Sequence, residues 1–207
     1  MGAGGPFQET PQLRVEALAL KRGGRVLFEH VSFHARPGEL IEIRGANGSG
    51  KTSLLRALAG FLRPHAGTIA WEACAEPETA LHLIAHTDAL KGADSVRGHI
   101  RYWVGLFGGG GGGDANALEE VGLAAFADFP ARVLSQGQRR RLALARLAAA
   151  PRPVWLLDEP AAALDADGKA LLNSLIAAHL AQGGIALAAV HEPLGPAPAR
   201  TVTLEPA

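Results

Sequence analysis

From Leu13 to Leu20 and from Val26 to Ala35 run stretches of partly alternating, partly continuous apolar character, and Gly23-Gly24 separates the two. A period of two puts alternate side chains on opposite faces of a strand, so this region predicts a β-hairpin closed by a glycine turn. Leu40 to Arg44, Val154 to Asp158 and Ile185 to Val190 are short, almost unbroken apolar runs and read as strands, as do Thr68 to Trp71 and Leu81 to Ala85. Helical spacing appears over Gly50 to Phe61, and Leu142 to Ala150 and Ala170 to Ala181 predict amphipathic helices packed on a sheet. From Asp94 to Ala131 the pattern is helical but broken by six glycines, Gly108 to Gly113. Each glycine costs a helix roughly 1 kcal/mol relative to alanine, so this run reads as a flexible connector between two short helices of an inserted lobe, about residues 90–150. Tyr102, Trp103, Leu106 and Phe107 lie at spacings that can share one helical face, either as lobe core or as a seat for a membrane partner. Residues 1–11 read as a flexible leader. The expectation is an α/β unit over residues 12–207: a mixed sheet core, an N-terminal antiparallel β subdomain and an inserted helical lobe.

Composition narrows the class. At 207 residues the chain can bury a substantial core. Lys and Arg total 20 against 20 Asp and Glu, so no global field recruits nucleic acid or anionic lipid, and any phosphate affinity must be local. The single cysteine, Cys74, excludes an internal disulfide and suits a reducing compartment. No apolar stretch is long enough to span a bilayer, and the start lacks the pattern of a signal peptide, so other chains are expected to hold the protein at any membrane where it works.

Gly45-Ala46-Asn47-Gly48-Ser49-Gly50-Lys51-Thr52 is a full G-x-x-x-x-G-K-[ST] loop directly after an apolar strand, and it leads into the helical stretch that includes Ser53 to Leu58. Strand, glycine turn and helix start together aim backbone N–H groups at one anion, with Lys51 set to reach the β and γ phosphates and Thr52 to hold magnesium. A nucleoside triphosphate is the expected ligand. Such a loop serves GTPases, kinases and motors alike, so the downstream segments decide. Val154 to Asp158 ends in a carboxylate suited to steady magnesium, and Glu159 follows it, placed to polarise a water. Leu134-Ser135-Gln136-Gly137-Gln138 precedes a helix and offers a hydroxyl and bare N–H groups to an anion; Ala162 to Asp165 and His191 come later.

In that order and spacing these segments resemble the ATP-binding subunits of ABC transporters, and the resemblance runs from about Leu13 to Leu204. It implies a P-loop NTPase of ABC type in which Gly45 to Thr52 is Walker A, Leu134 to Gln138 the signature, Val154 to Asp158 Walker B, Glu159 the general base, Ala162 to Asp165 the D-loop and His191 the switch histidine. It also implies ATP and Mg2+, a head-to-tail pair of nucleotide-binding subunits in which Ser135, Gly137, Gln138 and Asp165 of one face the triphosphate of the other, and integral membrane partners. Two positions depart from the common pattern. Arg22 stands where an aromatic residue normally stacks on adenine, and a guanidinium plane can stack there instead. His86 and Thr87 stand where a glutamine is usual, and His86 could reach magnesium or the attacking water. Gln136 also replaces a glycine inside the signature.

With His86, Leu134-Ser135-x-Gly137-Gln138-x-Arg140-Arg141 and Leu144-Ala145-Arg146-Leu147, the chain is similar to the CcmA-type subunits of the haem exporter of cytochrome c biogenesis. That resemblance implies a peripheral protein on the cytoplasmic face of a bacterial inner membrane, hydrolysing ATP to drive haem or haem-chaperone handling. His82, His86 and His99 are scattered singly and form no haem-binding motif of their own. The competing readings are the ATP-binding subunit of another ABC exporter, a soluble ABC-type ATPase acting on ribosomes or DNA, and a sensor that has lost hydrolysis. Neutral charge speaks against the nucleic-acid reading, and intact Lys51, Asp158 and Glu159 speak against the sensor.

Overall fold

Three apolar runs become neighbouring strands because each is buried on both faces. In the computed structural model, which describes residues 7, 11–74, 76–108 and 113–205, β6 (Val154–Asp158) and β7 (Ile185–Ala189) are buried at every position. They lie beside β3 (Leu40–Arg44) in a five-stranded parallel sheet completed by β5 (Leu81–Ile84) and β8 (Arg200–Thr203), in the order β5-β6-β7-β3-β8. Unbroken runs of Val, Ile and Leu are what a parallel sheet covered on both faces requires. A separate three-stranded antiparallel sheet, β2-β1-β4, is built from β1 (Gln12–Arg22), β2 (Arg25–Ala35) and β4 (Ala66–Glu72). Parallel and antiparallel pairing are thus divided between two sheets.

Period two decides which layer each strand residue joins. Ile41, Ile43, Leu156 and Leu187 pack with Leu54, Leu55 and Leu58 of α1 (Lys51–Leu58) and with the antiparallel sheet. Their alternates Leu40, Trp155, Leu157, Ala186 and Ala188 pack against Leu172, Leu175 and Ile176 of α5 (Ala166–Ala181). A third cluster joins Val96, Ile100 and Trp103 of α2 (Val96–Phe107), Ala117 and Leu118 of α3 (Gly113–Glu120), and Leu142, Ala145 and Ala149 of α4 (Gln136–Ala149). Helix α4 belongs to two cores at once, because Leu144 and Leu147 on its other side enter the α5 layer. The helix that begins at the signature therefore bridges lobe and sheet.

Several expectations change in detail. Helix α1 stops at Leu58, short of the expected Phe61, with Gly60 at φ 80° just beyond it. Strand β8 has no counterpart in the sequence reading, because only Val202 of its four residues is buried. The four lobe aromatic and apolar residues do not share one face: Trp103 is buried and Phe107 half-buried, whereas Tyr102 and Leu106 are exposed. Spacings of four pair 103 with 107 and 102 with 106, and the two pairs are a residue out of phase on the helix. Apart from Phe7 and Pro11, the leader lies outside the described residues, as does the glycine run apart from Gly108 and Gly113. Among the described residues no helix is long and apolar enough to cross a membrane.

Candidate nucleotide site

The carboxyl ends of β3, β5, β6 and β7 carry the residues of interest, which is where ligands sit in open parallel sheets. After β3 the chain makes the glycine turn, with Gly45, Gly48 and Gly50 at φ 149°, 80° and 102°. Gly45 admits no side chain: a Cβ there would lie 2.5 Å from Ser49 Oγ and 2.6 Å from the Leu204 carbonyl. At Gly50 a Cβ would meet the Phe28 ring of β2 at 2.9 Å, so the antiparallel sheet is packed onto the loop. Lys51 is buried and its Nζ donates to the carbonyls of Gly45 at 2.8 Å and Ala46 at 3.3 Å, which keeps the ammonium folded over the loop. Ser49 Oγ is buried without a protein partner, and Ala46, Asn47 and Gly48 are exposed. Ser53 is buried in the first turn of α1.

Thr52 Oγ1 donates to Asp158 Oδ2 at 2.8 Å, joining the helix after the loop to the end of β6. A hydroxyl and a carboxylate in contact are hard oxygen donors, and magnesium is commonly held by few protein oxygens together with phosphate and water. These residues fit that ion bound with a triphosphate. Next in the chain, Glu159 has left-handed backbone at φ 48° and donates its N–H to the Ala189 carbonyl at 3.0 Å. Its Oε1 lies 2.9 Å from His191 Nε2 and its Oε2 3.4 Å from His86 Nδ1. A carboxylate only accepts, so the His191 contact selects the tautomer with a proton on Nε2.

One residue of this region was named in the sequence only as part of a motif. Arg140, on α4, is 2% exposed and its guanidinium donates to five acceptors. Nη2 reaches the carbonyls of Asp158 at 2.9 Å and Glu159 at 2.8 Å, Nε that of Pro160 at 3.2 Å, and Nη1 the Ala85 carbonyl at 2.8 Å and Asp88 Oδ1 at 2.9 Å. A signal was present: Arg140, Leu144 and Leu147 fall at i, i+4 and i+7, so the arginine heads a buried stripe, and a buried cation must be paired.

The signature residues cap their own helix. Ser135 Oγ accepts from Gln138 N at 3.2 Å, and Gln138 Oε1 accepts from Ser135 N at 2.9 Å, a reciprocal capping box. The serine oxygen accepts in this contact, so its own O–H is left to donate elsewhere. Gly137 faces the D-loop, where a Cβ would lie 3.0 Å from the Ala163 carbonyl. Asp165 caps α5 by accepting from Gly168 N at 2.8 Å and from Arg141 Nη2 at 2.7 Å. The Gly168 N–H first, then Arg141, hold its carboxyl below the usual carboxylate range. Among the described residues, none of these groups touches the phosphate loop of its own chain.

The ABC transporter family model matches residues 28–162. The cytochrome c biogenesis ATP-binding export protein CcmA of Nitrobacter winogradskyi is 48% identical over 188 residues, covering 89% of this chain and 94% of that protein. Its namesake in Nitrosococcus oceani is 42% identical over 205 residues, covering 95% and 94%. The chain belongs to the CcmA family of ABC transporter ATP-binding proteins. An ABC transporter ATP-binding protein of Pyrococcus furiosus shares the fold with a TM-score of 0.82 at 23% identity, covering 93% of this chain and 97% of that one.

As a member of the CcmA family the chain is an ATP-binding ATPase subunit, and its departures from the common ABC pattern can be placed. Arg22 is exposed at the hairpin tip, paired in register with Arg25 across Gly23-Gly24, a few residues from the part of β2 that packs on the phosphate loop. Gln136 is exposed and lines a groove with Asp88, Leu90 and Arg139, which His86 also borders.

Proposed function

We propose that this CcmA-family chain is the ATP-hydrolysing motor subunit of the haem exporter of cytochrome c biogenesis. In this reading it works as a head-to-tail pair docked on integral membrane subunits at the cytoplasmic face of a bacterial inner membrane. The observation that carries the reading is the convergence of Lys51, Thr52, Asp158, Glu159 and His191 at the carboxyl end of one parallel sheet. The names of the relatives support the biological setting.

The Gly45–Ser53 backbone and Lys51 bind and orient the β and γ phosphates, as the closed glycine turn and buried lysine support. Thr52 and Asp158 would hold magnesium, which supplies charge neutralisation at the phosphates. Glu159 orients a water for in-line attack and takes its proton, while His191 fixes the carboxylate and faces the γ-phosphate. Ser135 donates its free hydroxyl, and Gly137 its N–H, to the triphosphate of a second copy, with the Gln138 cap and Asp165 shaping that face. Arg22 stacks on the base. Each copy lacks what the other lends, so ATP joins the pair and loss of the γ-phosphate releases it.

The test uses the chain with its membrane partners. Glu159→Gln is expected to bind ATP, stop turnover and accumulate the closed pair, whereas Lys51→Ala loses both binding and turnover. Rapid hydrolysis by the Glu159→Gln form would overturn the catalytic assignment. A strain carrying only Lys51→Ala should fail to mature c-type cytochromes, and full maturation would overturn the haem assignment.

A further inference from the structure

We infer that His86 is a positioning residue for Glu159, holding the second oxygen of a carboxylate whose first oxygen is held by His191. The inference rests on Glu159 being the base proposed above. It starts from the order of the strands. β6 lies between β5 and β7, with Ile84 in register with Leu157 and Ala189 in register with Asp158. Glu159 follows the last residue of β6, His86 stands two residues beyond β5 and His191 two beyond β7. Three adjacent strand ends therefore deliver one carboxylate and, from either side, one imidazole each.

The backbone of Glu159 is already fixed. Its left-handed conformation is maintained by the Ala189 carbonyl on its N–H and by Arg140 on its carbonyl. What remains free in a glutamate is the direction of the carboxylate, and that direction decides where an accepting lone pair points. His191 alone holds Oε1 at 2.9 Å and leaves the group able to turn about that contact. His86 Nδ1 stands 3.4 Å from Oε2, on the far side of the carboxylate from His191, and limits that turn. Among the described residues Glu159 is the polar partner of His86, whose side chain is otherwise exposed. A group fixed before the reaction has less orientational freedom to lose in the transition state.

The experiment measures ATP hydrolysis by the full chain in its membrane complex for His86→Ala, His86→Asn and Glu159→Gln. His86→Ala is expected to lower kcat about fivefold to tenfold with KM for ATP and Tm unchanged, because an aiming contact is lost and no phosphate contact is. His86→Asn is expected to recover most of the rate, since its amide nitrogen stands as far from the backbone as Nδ1 and can donate to the same oxygen. An unchanged kcat in His86→Ala, a parallel change in KM and Tm, or an asparagine form no better than alanine would each overturn the inference. If Glu159→Gln itself retained turnover, the base assignment would fail. If Glu159→Gln is dead while His86→Ala runs at the wild-type rate, only the role of His86 fails.

Discussion

Arg140 Nη2 donates to the main-chain carbonyl of Glu159 at 2.8 Å. The helix that begins at the signature serine thereby grips the residue proposed to activate water, and the same guanidinium holds the Ala85 carbonyl one residue before His86. A displacement of α4 has to move Glu159, the stretch leading to His86, or both. This contact links the face proposed to meet a second copy with the carboxylate proposed to activate water.

Arg140→Lys tests that link. Lysine concentrates its donors on one atom and cannot serve five acceptors spread around a planar fork. Leaving several buried acceptors unpaired should cost about 2 to 4 kcal/mol of stability. Turnover should fall by at least about tenfold, since Glu159 loses its backbone support. Urea unfolding and steady-state ATPase rates check this, and a lysine form with wild-type values for both would contradict it.

Gly45→Ala and Gly60→Ala separate conformational strain from collision. Both positions have positive φ, at 149° and 80°. A Cβ at Gly60 meets nothing within 4 Å, whereas at Gly45 it strikes Ser49 Oγ and the Leu204 carbonyl. Gly60→Ala should lose about 1 kcal/mol of stability and bind nucleotide normally. Gly45→Ala should weaken nucleotide binding by more than about tenfold, because the loop must shift away from Ser49 and from the Leu204 carbonyl just after β8. Titration with a fluorescent ATP analogue distinguishes them.

Ser135 offers a way to divide capping from nucleotide contact. Ser135→Ala removes the N-cap and should lower stability by about 1 kcal/mol, with loss of the ATP-dependent pair. Ser135→Asp keeps a good cap but replaces a donor with a negative charge facing a triphosphate. It should therefore be as stable as wild type and still fail to pair in light scattering with ATP. Normal pairing by the aspartate form would remove Ser135 from the interface.

The fold should lose stability in mild acid for a reason that lies outside the site. His82 and His179 are buried, and desolvation pushes their pKa values down to about 3 and about 4. The unfolded chain binds protons at both below pH 6.5 while the folded chain does not. Their contribution is complete above that pH and is lost as pH falls toward about 4 and about 3. At pH 5 the loss should be about 2 kcal/mol for each histidine. Urea midpoints at pH 7.5 and pH 5 measure it. In His82→Gln the drop should shrink by about 2 kcal/mol, and an unchanged drop would rule out His82 as a source.

The glycine turn after β3, the strand that ends at Asp158 with Glu159 beside it, and the strand that leads to His191 were legible because each depends on neighbours in the chain. Glycines at a turn, a buried strand before it and a helix after it are local requirements. Strand β8 was not legible: an edge strand with one buried residue carries almost no periodic signal. The exposure of Tyr102 and Leu106 was also hidden, since spacing says which residues share a face and packing alone says which face is covered.

Sequence by itself determined most of the elements, the order of the motifs and the chemical type of each candidate group, because strand runs, caps and glycine turns are encoded over a few residues. Tertiary structure decided which of those groups meet. Glu159 lies between His86 and His191 because β6 lies between β5 and β7, and Arg140 reaches all the way to β6 because α4 packs on two cores. Strand order and helix docking come from burial of whole faces, a sum over many distant side chains that no local stretch contains.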